Sequence, residues 1–168
     1  MNSHSPLPRG LYFEEFQVGQ KIVSAARTVT EADIVNFAGL SGDFNAIHVD
    51  TPYAAATPFG QRVAHGLLGL SIASGLAVQT GVMEGTILAF REIGEWRFSN
   101  PIFIGDTIHV QMEVQETRAI PRLRGGSVVI LLDVLNQDGK STMKGKWTVL
   151  ILSGPKDSGK QGNEVDSK

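Results

Sequence analysis

The stretch Val63-Ala64-His65-Gly66-Leu67-Leu68-Gly69-Leu70-Ser71-Ile72-Ala73-Ser74-Gly75-Leu76-Ala77-Val78 decides the fold. It carries no charge beyond what His65 can hold, and it lacks a polar stripe at helical spacing. A helix apolar on every side is expected to be buried on every side. The stretch is too short, and too rich in Ser, Gly and His, for a good membrane span. Each interior glycine costs about 1 kcal/mol relative to alanine. Burying each large aliphatic side chain returns roughly 1.5–3 kcal/mol. Leu67, Leu68, Leu70, Ile72, Leu76 and Val78 therefore outweigh Gly69 and Gly75. The expectation is one central helix with a sheet wrapped around it, its small residues admitting strands or a ligand close to the backbone.

Working outward, residues 20–29 read as a short strand after Gly19. Thr30-Glu31-Ala32-Asp33 reads as a helix start, with Thr30 as cap and acidic groups where the helix dipole favours them. Gly42 ends that helix. Residues 42–50 read as a loop, and Thr51-Pro52-Tyr53-Ala54-Ala55-Ala56 as a short helix with proline in its first turn. The central helix is expected to end near Gly81. Beyond it come four strands, residues 87–98, 107–117, 127–136 and 142–152, with a bend at Ile93-Gly94. Turns fall at Gly105-Asp106, at 121–126 and at Gln137-Asp138-Gly139-Lys140. Strand, helices and then four strands in a meander imply an α+β class, an antiparallel sheet curled around one long helix.

Composition narrows the function. A chain of 168 residues with 42% hydrophobic residues is large enough for one domain with a sizeable core. A net charge of −2 argues against a nucleic-acid partner, which selects basic surfaces. The absence of cysteine excludes disulfides and thiolate chemistry. Met1 to Arg9 holds no apolar core of a signal peptide, so a cytoplasmic, membrane-free protein is expected. Residues 1–10 read as a flexible arm, 11–153 as the folded domain, and 154–168 as a polar, disordered tail.

The loop Ser41-Gly42-Asp43-Phe44-Asn45-Ala46-Ile47-His48 is the main chemical candidate. A carboxylate and an imidazole five residues apart can converge on one water and divide acid and base work. Asn45 can brace the loop or the carboxylate. Asp and Asn are also common turn formers, so residue types alone leave both readings open. His65 precedes Gly66 and reads as a satisfied structural histidine, with orienting the loop as the alternative; His109 reads as a solvated strand residue, and His4 lies in the arm. No histidine or carboxylate pair has metal-site spacing, so no metal is expected. Arg118, Arg122 and Arg124 flank a turn and read as solvated surface or as contacts to phosphates. There is no glycine-rich phosphate loop, so no nucleotide cofactor is expected.

Residues 41–48 resemble the hydratase motif of the MaoC-like, (R)-specific enoyl-CoA hydratases, enzymes of the hotdog fold. Ala64-His65-Gly66-Leu67-Leu68 with Ser74-Gly75 is similar to the start of that family's central helix. Phe98-Ser99-Asn100-Pro101-Ile102-Phe103-Ile104-Gly105-Asp106 is similar to its strand–turn element. The three motifs occur in the family's order; the chain departs from the pattern at Ala46, where proline is usual. The resemblance implies that Asp43 and His48 are catalytic and hold the water that adds to the β-carbon of a 2-enoyl thioester. Which is base and which acid stays open. It also implies substrate-binding roles for Gly66, through its backbone N–H, and for Ser74 and Asn45. A helix N-terminus with a glycine supports the Gly66 role physically, offering a free amide and close approach. The implied activity is reversible hydration of trans-2-enoyl-CoA to (R)-3-hydroxyacyl-CoA, without a cofactor. Open sheet edges and the resemblance together imply a homodimer or higher homo-oligomer. A hotdog thioesterase and a non-catalytic acyl-CoA-binding subunit are the alternatives.

Overall fold

A computed structural model describes residues 10–155. Its central helix, α4 (Gly66–Gln79), carries Leu68, Ile72, Ala73, Leu76 and Ala77 into the core. Against them lies an antiparallel sheet built from β1 (Lys21–Val23), β2 (Arg27–Thr28), β3 (Ile87–Phe98), β4 (Thr107–Ile120), β5 (Gly125–Leu135) and β6 (Ser141–Leu152). In β5, in β6 and in the first half of β4, up to Val114, burial alternates along the strand. Val110, Met112 and Val114, then Val128, Ile130, Leu132 and Val134, then Met143, Trp147, Val149 and Ile151 form the inner face. The pairing brings these together, with Met112 opposite Leu132 and Ile130 opposite Trp147. Alternation therefore becomes one continuous apolar surface, at about 25 cal/mol per Å² removed from water.

The order across the sheet is β1-β4-β5-β6-β3, with β2 also pairing to β4. The expected four-strand meander therefore holds only for β4, β5 and β6. β3 sits at the far edge beside β6, because the segment after Phe98 does not close a hairpin. It runs past the start of α4 instead, where Ala64 donates to the Ile102 carbonyl at 2.8 Å and Val63 bridges Phe103. The expected bend in β3 is present as a register shift after Gly94, with Glu95 at φ +52°. The strand expected over residues 20–29 is split. Ser24 takes the Val110 N–H on its hydroxyl at 2.9 Å and interrupts the ladder.

Before α4 come α1 (Glu31–Ser41), α2 (Ala46–Val49) and α3 (Thr51–Ala55). Thr30 caps α1, and Asp33 returns the bond to the Thr30 N–H at 2.8 Å. Gly42, at φ +77°, closes α1 in the left-handed conformation. The loop expected over residues 42–50 contains the single turn α2, which Asn45 caps.

Burial of α4 on every side is not what the single chain shows. Leu67 is 61% exposed and Val78 47%, and Ser71 and Gly75 lie exposed between them. These positions share one face at helical spacing. The sheet covers only the opposite face. Gly10, at the boundary of the expected arm, is buried and bonded to Glu84, and Gly154 bonds to Glu14. The rest of the expected arm and all of the expected tail beyond Pro155 lie outside the described residues. Among the described residues no helix is long and apolar enough to cross a membrane.

Candidate active site

The site is assembled where the 41–48 loop meets the start of α4. Ser41 accepts the Asp43 N–H, the Asp43 carboxylate accepts the Asn45 N–H at 3.2 Å, and Asn45 accepts the Ile47 N–H at 3.3 Å. These nested side-chain turns tighten the chain into α2. One helical turn then carries His48 from the exposed loop into the interior, where it is 7% exposed. Its Nδ1 lies 2.8 Å from the Val63 carbonyl. A carbonyl only accepts, so neutral His48 carries its proton on Nδ1 and presents a lone pair at Nε2.

His65 is 3% exposed and immediately precedes α4. Its Nε2 donates to the Asp43 carbonyl oxygen at 2.9 Å. Its ring stacks on His48 with centroids 3.7 Å apart and planes 28° apart. Asp43, His48 and His65 each bring a ligand atom within 4.8 Å of the others. A metal ion would need ring nitrogens about 2.0–2.1 Å away with their lone pairs aimed at it. Stacked imidazoles hold their lone pairs in separate, nearly parallel planes, and one nitrogen of each is already bonded to a carbonyl. The donor set fits a water better than a metal.

Beside the cluster opens a cleft of about 320 Å³. His48, His65, Gly66, Ser99 and Asn100 supply its polar lining, and Phe59, Phe98, Ile102 and Met143 its apolar walls. Gly66 is the first residue of α4, so its amide has no partner within the helix. A Cβ there would stand 2.9 Å from the Phe98 ring, so glycine keeps the backbone open to the cleft. The structure thus brings Asp43 to His48 and sets His48 and Gly66 on the cleft, while Asp43 stands behind them and is not among the residues lining it. Asn45 is exposed and spends its side chain on capping α2. Ser74 is half-buried about 12 Å further along the α4 axis from Gly66, and is not among the residues lining this cleft. Arg124, beside the paired ends of β5 and β6, lies about 30 Å along β6 from Met143. His65 and the apolar walls were not singled out as site residues from sequence.

The MaoC-like domain model matches residues 15–132. The chain belongs to the MaoC-like dehydratase family. This MaoC-like chain is 34% identical over 140 residues to an (R)-specific enoyl-CoA hydratase of Rhodospirillum rubrum, covering 83% of this chain and 91% of the relative. It is 32% identical over 142 residues to a 3-hydroxybutyryl-CoA dehydratase of Methylorubrum extorquens, covering 83% and 87%. Protein MaoC of Klebsiella aerogenes is 46% identical over 101 residues, but those cover 60% of this chain and only 30% of that protein. A crystal structure of an Archaeoglobus protein described as a monoamine oxidase regulatory protein superposes with TM-score 0.81 at 39% identity, over 88% and 97% of the two chains. A Mycobacterium tuberculosis protein with a double hotdog fold superposes with TM-score 0.77 at 18% identity, over 88% and 46%. The MaoC-like chain therefore has the hotdog fold.

Proposed function

We propose that the protein is a hydro-lyase that reversibly adds water to a trans-2-enoyl-CoA, giving the (R)-3-hydroxyacyl-CoA. One observation carries this reading: ligand atoms of Asp43 and His48 lie within 4.8 Å of each other, and His48 lines an apolar cleft together with Gly66, the first residue of α4. The hydratase and dehydratase names of relatives that this chain covers almost end to end support it.

The chemistry follows from the donors and acceptors. Asp43 and His48 accept the two hydrogens of one water. His48 takes a proton at Nε2 as the oxygen attacks the β-carbon. The negative charge that develops on the thioester oxygen is met by the Gly66 N–H and the positive end of α4. The His48 imidazolium, facing the Asp43 carboxylate, then returns its proton to the α-carbon. Water is consumed, and both residues end as they began. Apolar walls suit the acyl chain, and no cofactor enters any step. Asn45 serves by holding the loop.

The working form is a homodimer. β3 is an edge strand with Ile87, Leu88, Phe90, Ile93 and Phe98 exposed, and α4 leaves Leu67 and Val78 uncovered. Pairing two copies along β3 removes the open edge and shields the cleft mouth at Phe98. A cytoplasmic location fits a coenzyme A thioester substrate.

The test is incubation with crotonyl-CoA. Hydration removes the conjugated-enone absorbance without releasing thiol, and chiral analysis gives the (R)-alcohol. Thiol release with the absorbance retained would identify a thioesterase instead. Binding without either change would identify a non-catalytic acyl-CoA carrier.

A further inference from the structure

His65 does more than fill space. A residue at a helix N-cap ordinarily turns its side chain onto the first free amides of its own helix. His65 makes no such bond. Its Nε2–H reaches the carbonyl of Asp43, 22 residues earlier, at 2.9 Å. Its face lies on His48, and Phe37 braces it from the side at 5.1 Å. The remaining nitrogen, Nδ1, is buried without a hydrogen-bond partner. A phenylalanine or leucine would occupy this volume without stranding a polar atom. The imidazole is therefore retained for what its N–H and its flat face do together.

The geometry gives that work a direction. Within the 41–48 loop the side-chain bonds of Asp43 and Asn45 each span two residues, so they shape the loop but do not tie it to α4. Two long-range side-chain bonds make that tie, beside one backbone bond from the Val63 N–H to the Ile47 carbonyl at 3.2 Å. Val63 holds the His48 ring, and His65 holds the Asp43 backbone. Both anchors stand within three residues of Gly66, so both reacting groups are referenced to the same helix start. The two stacked rings must then be opposite tautomers, Nδ1–H in His48 and Nε2–H in His65.

We propose that His65 is a positioning residue for the reaction: its Nε2–H bond to Asp43 and its stack on His48 set the distance of both groups from the Gly66 amide. The proposal rests on the hydratase reading above.

The test pairs two variants with imidazole nitrogen spectroscopy on the labelled full-length protein. His65→Phe keeps a ring but loses the donor; His65→Gln keeps a donor but loses the ring. A shift of reacting groups by about 1 Å can cost on the order of a hundredfold in rate. His65→Phe should therefore lower kcat on crotonyl-CoA by roughly tenfold to a hundredfold while KM and the thermal midpoint stay close to wild type. His65→Gln should recover part of kcat. Long-range proton–nitrogen spectra at slightly alkaline pH should show Nε2–H for His65 and Nδ1–H for His48. In His65→Phe the His48 nitrogen signals should move. A kcat unchanged in His65→Phe would overturn the proposal. So would kcat and thermal midpoint falling together in both variants, or Nδ1–H for His65. Should wild type leave enoyl thioesters untouched, the hydratase reading fails, and the spectra still decide: unmoved His48 signals would refute positioning by His65.

Discussion

At its amino end α4 meets His48, His65, Phe98 and an open cleft, and its first residue is a glycine with an unpaired amide. From Ile72 onward the same helix contributes Ala73, Leu76 and Ala77 to one core cluster with Val110, Ile130, Trp147 and Val149 of the sheet. Both regions are built from small and aliphatic residues, and the sequence treats them alike. They differ in what approaches. The amino end is met by a loop bearing polar side chains, and the body by three alternating strands. Chemistry belongs where the backbone is exposed and the packing open, and stability where side chains interlock. Changes at one end should therefore leave the other's property intact.

The largest expected effect is at the amino end. Asp43→Asn and His48→Asn keep size and some hydrogen bonding but alter the groups proposed to hold the water. Each should lower kcat/KM on crotonyl-CoA by about 10²–10⁴-fold, with little change in urea midpoint. A matching loss of stability would break the division. The reverse result is expected in the body. Ile130 is fully buried opposite Trp147, and Ile130→Ala should cost about 2–5 kcal/mol in urea unfolding. Its turnover per folded molecule should be unchanged.

Gly69 lies between the two regions and sharpens the boundary. An added Cβ would stand 2.5 Å from Met143 Cε and 2.9 Å from Ile102 Cδ1, two residues of the cleft wall. Alanine improves helix propensity by about 1 kcal/mol, while overpacking costs about 1–3 kcal/mol. Gly69→Ala should therefore show a small net loss of stability together with a raised KM, as Met143 is displaced into the cleft.

The smallest effect is expected away from both ends, at the cap of α1. Burial pushes the Asp33 carboxyl up, but the Thr30 N–H and hydroxyl and the Arg27 guanidinium outweigh it and hold the group below its ordinary value. A depressed carboxylate stabilises the fold above its unfolded value of roughly 3.9, and that contribution is lost as pH falls through the lowered folded value. Thr30→Ala should cost about 1 kcal/mol at neutral pH. The gap from wild type should narrow in acid unfolding below roughly pH 3.9, without an effect on turnover.

Much of this was readable from residue order. The Thr30 cap, the stop at Gly42, the long strands after residue 87 and the inward set of β4 follow from local rules, and the structure repeats them. The one-turn helix α2 was not legible, because four residues are too few to display a helical period. Nor was the crossing of β3 to the far edge. Strand spacing along the chain does not state spatial order, and the segment after Phe98 is short enough for a hairpin. At the site, Asp43 and His48 stand out because they share one short loop. His65 does not, since its bond to Asp43 joins positions 22 residues apart and neither end marks the other. Burial of α4 on every side is not legible either, since Leu67 and Val78 stay exposed in the single chain. An apolar helix states that something covers each face, but not that the covering comes from the same chain.

The groups proposed to react, their anchors and the helix amide all fall between Asp43 and Gly66, while the strands supply apolar cleft wall at Phe98 and Met143. Such a contiguous block behaves as a cassette. On the proposed reading, wall residues on β3 and β6 can drift and retune which acyl tails are accepted, while the reaction itself is inherited unchanged.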